Sequence, residues 1–277
     1  MKNTSVTPAA LNNSATAAVT MLVTPEMAKE LLKRNTHNRN LRERAVADYA
    51  RDMAAGKWLM NGEAIKFAAD GTLLDGQHRL HAVVAAGVPV MMLVVTGLDA
   101  STQETMDAGR RRNAADAFSL RGEVNATVLA STLKRVWMWE QGDFKFAQNR
   151  IPTVAECAAL LVERPEIRRS VEIAVRIHGL FRYIPHSSLG TSHHLLSRIN
   201  GPEAVWFFAR LGDGAELPAG HPVLALRQRV MSERADRRTI PDYRYMAYII
   251  RAWNACRDGR DLGRIQQAPD APMPMPK

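Results

Sequence analysis

Asp75, Gly76, Gln77, His78 and Arg79 follow one another within LLDGQHRLHA, between a short apolar run and an amphipathic stretch. They set a carboxylate, a glycine, an amide, an imidazole and a guanidinium side by side. A connecting turn needs only the glycine and the aspartate, for unusual backbone angles and a local hydrogen bond. If Leu74 ends a strand and Gln77 begins a helix, Gly76 lets the chain turn and leaves the first helical N–H groups facing outward, where the helix dipole favours an anion. His78 and Arg79 add side-chain donors, the guanidinium as a two-pronged fork suited to phosphate. Asp75 repels a phosphate, so its carboxylate serves to hold Arg79, to bind magnesium or to orient a water. A plain Asp-Gly turn in which Arg79 pairs with Asp75 explains the same residues without any ligand.

Further groups extend this chemistry. Arg110-Arg111-Arg112 sets three guanidiniums in a row before a helix; it reads as a second clamp on phosphate oxygens, or as a solvated turn meeting Asp107 and Asp116. After Asp75, Glu63 and Asp107 are the carboxylates best placed to hold a metal or activate water. Near the other end, Tyr243, Tyr245 and Tyr248 interleave with Arg244 and Arg251. Cations and aromatic rings so arranged fit a nucleic-acid face, with phosphates on the arginines and stacking on the tyrosines; helix packing or a partner interface explains them as well. His193-His194 reads as a surface pair or an interface contact. Cys157 and Cys256 are far apart and give neither a disulfide framework nor a cysteine zinc site.

These residues need elements to position them. Residues 1–20, rich in Ser, Thr, Asn and Ala, read as an unstructured tail, as does PDAPMPMPK within residues 266–277. Residues 21–118 mix helix and strand signals: a helix capped by Thr24-Pro25, a helix over 41–55 stopped by Gly56, strands at 64–68 and 72–74 around Asp70-Gly71, and a helix over 77–86 ended by Gly87. Val90–Val95 is apolar throughout and reads as a central strand buried on both faces. Residues 119–265 carry helical patterns only, over 124–140, 154–163, 166–178, 192–199, 203–211, 223–233 and 243–257. The expected fold class is therefore α+β: a small mixed-sheet N-terminal domain followed by an all-α C-terminal domain.

With 277 residues the chain can bury a core without staples. Its formal net charge is +9, most of it in residues 119–277, where 23 basic side chains meet 16 acidic ones. That bias favours polyanionic partners, DNA above all. The N-terminus lacks a secretory core and no run approaches the roughly 20 apolar residues of a membrane span, so a cytoplasmic protein with no membrane contact is expected.

LLDGQHRLHAVVAAGVPVMMLVV resembles the centre of the ParB/sulfiredoxin-like superfamily, also called ParB-like nuclease domains, and within it the branch with a DGQHR-type motif. Arg39-Asn40-Leu41-Arg42 is similar to the early arginine segment of ParB, Asn61-Gly62-Glu63-Ala64-Ile65 to its strand entry, and Met106 through Arg112 falls where ParB carries a further arginine motif. The resemblance covers residues 22–118. It implies that Gly76, Gln77, His78 and Arg79 bind the phosphates of a nucleotide, a nucleoside triphosphate of unknown base, supported by Arg39, Arg42, Arg110 and Arg111. ParB has Glu and two arginines where this chain has Gln77, His78 and Arg79, so cytidine selectivity does not carry over. Sulfiredoxin's cysteine is replaced by Gln77, which argues against sulfinic-acid reduction. Three functions follow: nucleotide hydrolysis or phosphate transfer in a DNA-related process, with Asp75, Glu63 and His78 catalytic and Mg2+ on Asp75 and Asp107; a metal-dependent nuclease; or a DNA-binding regulator without turnover. The helical half would contact DNA, through Arg244 and Arg251, or a second copy of the chain.

Overall fold

A computed structural model of the chain describes residues 15–36, 38, 40–106, 113–147, 150–235, 240–268 and 271–277. Arg39, Asp107, Arg110 and Arg111, all expected to serve the site, lie outside the described residues. The chain divides into two compact units, with the boundary at Arg111/Arg112.

Among the described residues the first unit holds four strands. Strand β1 spans Ala17–Val23, β2 Ala64–Ala68, β3 Leu73–Asp75 and β4 Val90–Leu98, in the spatial order β1-β4-β2-β3. The β1/β4 and β2/β3 pairs are antiparallel and the β2/β4 pair is parallel, so the sheet is mixed. Helix α1 (Pro25–Leu32) starts where Thr24 accepts the Met27 N–H at 3.2 Å and Pro25 takes the first helical position. Helices α2 (Glu43–Ala54) and α3 (Gln77–Ala86) follow, and Gly87 ends α3 in the left-handed region. Met21, Val23, Leu31, Ile65, Phe67, Leu73, Leu80, Val83, Met92 and Val94 close into one core between the helices and one face of the sheet.

Two expectations change here. Residues 17–20, placed in a tail, are the first half of β1: Val19, Met21 and Val23 turn inward, and the ladder with β4 overrides the small polar composition. β4 is central but not buried on both faces. Val90, Met92 and Val94 enter the core, whereas Met91 on the other face is 42% exposed beside Leu22 of β1. The apolar run therefore marks a two-sided strand with only one side covered.

Among the described residues the second unit consists of helices: α4 (Ala114–Leu120), α5 (Ala126–Glu140), α6 (Val154–Glu163), α7 (Ile167–Leu180), α8 (His186–Ser197), α9 (Gly201–Asp213), α10 (Pro222–Ala235) and α11 (Asp242–Arg257). Helix α4 belongs with this unit, because Phe118 is buried among Leu129, Leu133 and Cys157. Asn113 and Asp116 cap it reciprocally, so Asp116 has a structural task. The expected tail at 266–277 is tied down as well: Lys277 N donates to Asn254 Oδ1 at 2.9 Å, Asn254 Nδ2 donates to Met275 O at 2.9 Å, and Gln267 is buried. No helix of the described residues is long and apolar enough to cross a membrane.

Helix α8 starts six residues before the helix read from the sequence, because its HSSLGT half is made of poor helix formers that packing alone stabilises. It runs against α5 so closely that a Cβ on Gly190 would lie 2.7 Å from Thr132 Oγ1. Gly190→Ala is expected to cost about 1–3 kcal/mol through overpacking, and a Thr132→Ala background to recover most of it. A double-mutant cycle in urea measures the coupling; additive losses would contradict the contact.

Candidate functional site

The motif sits where expected, at the junction of β3 and α3, and Gly76 turns the chain with φ +104°. β3 is an edge strand, and its outward backbone groups need partners that a neighbouring strand does not supply. The segment between α1 and α2 provides them. Leu73 N donates to Arg34 O at 2.9 Å and Asn38 Nδ2 donates to Leu73 O at 2.6 Å. From the far side, Gln103 Nε2, on the 3-10 turn Ala100–Thr105, donates to Leu74 O at 3.0 Å and to Asn38 Oδ1 at 3.2 Å. Gln77, only 5% exposed, accepts from Asn35 Nδ2 at 3.0 Å, which makes it part of this amide framework. His78 Nε2 accepts the backbone N–H of Arg42 at 3.0 Å, which leaves the ring proton on Nδ1 and brings Arg42 beside the motif.

Arg79 and Asp75 form the charged centre. Asp75 Oδ1 accepts the Gly76 N–H at 2.7 Å, and Oδ2 receives Arg79 Nη2 at 3.0 Å and Lys66 Nζ at 3.4 Å. Arg79 Nη2 also donates to the Ala64 carbonyl at 2.9 Å, and Nη1 lies 3.7 Å from a Glu63 oxygen, whose side chain is 61% exposed. One terminal amine thus pins the guanidinium to β2 and β3. Nε and Nη1 make no hydrogen bond to any described residue.

Each sequence-based expectation can now be placed. Gly76, Gln77, His78, Arg79 and Arg42 do come together. Asp75, expected as catalytic group and metal ligand, has both oxygens engaged internally and serves the first of its three possible tasks, holding Arg79. His78 spends its acceptor nitrogen on Arg42 rather than on a substrate proton. Glu63 borders Arg79 from the surface, and the described residues contain no group of three or more His, Cys, Asp or Glu placed to hold a metal ion. Lys66 was missed, although AIKFA showed it: a lone cation in an apolar strand faces the strand's own partner, here Asp75 across the β2/β3 pair. Asn35, Asn38 and Gln103 were missed too; the clustered amides of NTHNRN were the only trace of the first two.

On α11, Arg244 donates to Gln267 O at 3.3 Å and Arg251 donates to Gln267 Oε1 at 2.6 Å. Tyr245 and Tyr248 are buried, and Tyr248 OH donates to Glu233 Oε1 at 2.8 Å, so neither ring is a stacking platform. His193 and His194 are buried rather than on the surface, the first with Nδ1 2.9 Å from Ser170 Oγ. Burial raises the Cys157 thiol to about 12 and the Cys256 thiol to about 11, far from a thiolate nucleophile.

Asp75→Asn keeps the bond to Gly76 but removes the carboxylate that Lys66 and Arg79 share, and a loss of about 1–3 kcal/mol is expected. Urea unfolding checks it; an unchanged midpoint would make the charged centre incidental.

No family model, curated protein or solved structure matches this chain.

Proposed function

We propose that the chain binds a phosphate of a nucleotide or of a nucleic-acid backbone at the β3–α3 junction, in a DNA-related role. In this reading residues 17–106 form a small mixed-sheet unit of ParB-like type that presents the binding loop, and the helical unit supplies most of the positive charge. The observation that carries it is the posture of Arg79. One amine is fixed by Asp75 and the Ala64 carbonyl, so the other edge of the fork is already oriented; it makes no hydrogen bond to the described residues and has only the exposed Glu63 carboxylate near it, 3.7 Å from Nη1. An oxyanion arriving there pays little to order the side chain, and Nε with Nη1 is the pair of donors that grips phosphate oxygens in parallel. Arg42, set beside His78, adds charge from the flank. The resemblance of DGQHR to phosphate-binding loops points the same way. Turnover is not part of the proposal, since Asp75 and His78 are spent on internal bonds.

The test is a melting-temperature panel of ATP, CTP, GTP, ADP and short duplex DNA, with and without magnesium. A ligand at a hundredfold excess over its Kd stabilises the folded chain by about 2.7 kcal/mol, so at least one should raise the transition. A flat response across the whole panel would overturn the proposal.

A further inference from the structure

A cavity of about 370 Å³ lies at the C-terminal end of α11, within the helical unit. Arg251, Arg260, Arg264 and Lys277 line it. Their compensation is thin. Asp258 serves both Arg260 and Lys277, each at 2.8 Å. Arg251 gives Nε to the neutral amide of Gln267. Arg264 meets only the Gln266 amide among the described residues, with that amide turned so that its oxygen lies 2.5 Å from Nε and Nη2. Among the described residues, two of the four cations therefore share Asp258 and the other two meet only neutral amides. Like charges held around a concavity repel each other and concentrate their field inside it, and an anion seated there relieves the repulsion.

The walls are not uniform. Leu262, Ile265 and Pro274 add apolar groups to the lining beside the guanidiniums. The volume falls at the lower end of the roughly 300–1,000 Å³ of small-molecule sites. A bare ion leaves the apolar groups wet, and a volume of this size suits a small molecule better than a length of polymer. We infer that the cavity binds a small phosphate ester, its phosphate taken by Arg251, Arg260 and Arg264 and its organic body lying against the apolar groups. Gln267 orients Arg251, and Asp258 pairs with Arg260, before the ligand arrives. This inference does not rest on the β3–α3 reading, since it uses none of the same residues.

Phenyl phosphate, inorganic phosphate and short duplex DNA are the probes, titrated calorimetrically into the full chain and into Arg264→Gln, Arg260→Gln and Arg79→Lys proteins. Arg260 and Arg264 are exposed, so their substitution leaves the fold intact. The wild type should bind phenyl phosphate more tightly than inorganic phosphate, whereas each α11-end variant should bind it about tenfold more weakly or worse. Three results would overturn the inference: no phenyl phosphate binding by the wild type at millimolar concentration, equal binding by Arg264→Gln, or a loss confined to Arg79→Lys. Duplex DNA binding that Arg264→Gln abolishes, without any phenyl phosphate binding, would make this rim a nucleic-acid face and overturn it as well.

Discussion

Acidification from neutral pH to about pH 4 is expected to unfold the helical unit, because His193 and His194 refuse protons while folded. They are 4% and 1% exposed in α8. Burial, then the neighbouring His194 and the Arg169 and Arg176 charges of α7, push His193 down to about 4. Burial acts likewise on His194, where Arg198 and Arg164 oppose the upward pull of Glu166, and it too falls to about 4. In the unfolded chain each imidazole titrates near the ordinary value of 6.5. Above that value neither state is protonated and the stabilising contribution is fully present. As the pH falls below it, the unfolded chain takes up protons that the folded chain excludes, and stability is lost until the folded value near 4 is passed. Each histidine then costs about 3 kcal/mol, and the two together approach the whole stability of an ordinary domain, roughly 5–15 kcal/mol. Urea midpoints followed by circular dichroism between neutral pH and pH 4 should fall steeply. His194→Leu should flatten that fall by about half, since neither ring nitrogen of His194 has a partner among the described residues to lose. A wild-type midpoint that does not move across this range would contradict the burial of the pair.

Gly76→Ala should be the most damaging small change in the first unit. At φ +104° an L side chain is strained by about 1–3 kcal/mol. A Cβ there would also meet Ile65 Cα and Cγ1, each at 3.1 Å. Ile65 is fully buried in β2, whose parallel ladder with β4 gives its backbone little room to move, so overpacking adds a further 1–3 kcal/mol or so. A total near 3 kcal/mol, seen as a lower urea midpoint with an unchanged slope, is the expected outcome. A loss below about 1 kcal/mol would mean that the turn relaxes, and with it the close approach of the motif to β2.

Much of the junction is legible in the residues themselves. Asp70-Gly71 gave the β2–β3 turn, and Gly76 and Gly87 gave both ends of α3, because those positions need conformations that only glycine adopts cheaply. The Arg79–Asp75 pair was visible as an i,i+4 spacing. What failed depended on partners distant in sequence. β1 has little strand signal of its own and exists through pairing with β4. α8 is helical because neighbouring helices enclose it, which also drew two histidines into the interior. Tyr245 and Tyr248 looked like a nucleic-acid surface only because periodicity does not say which face of α11 is buried. The prolines of the last segment exclude helix and ladder, as expected, yet side chains of α11 hold it in place.

The most direct test of the phosphate fork is Arg79→Lys. Lysine keeps the charge and can still reach Asp75, but it has no parallel pair of donors on a rigid plane. Titrated with whichever nucleotide or duplex DNA gives the largest thermal shift, the Arg79→Lys protein should remain folded and bind about tenfold more weakly or worse. Equal affinity in the two proteins would show that the free edge of Arg79 does not hold the ligand.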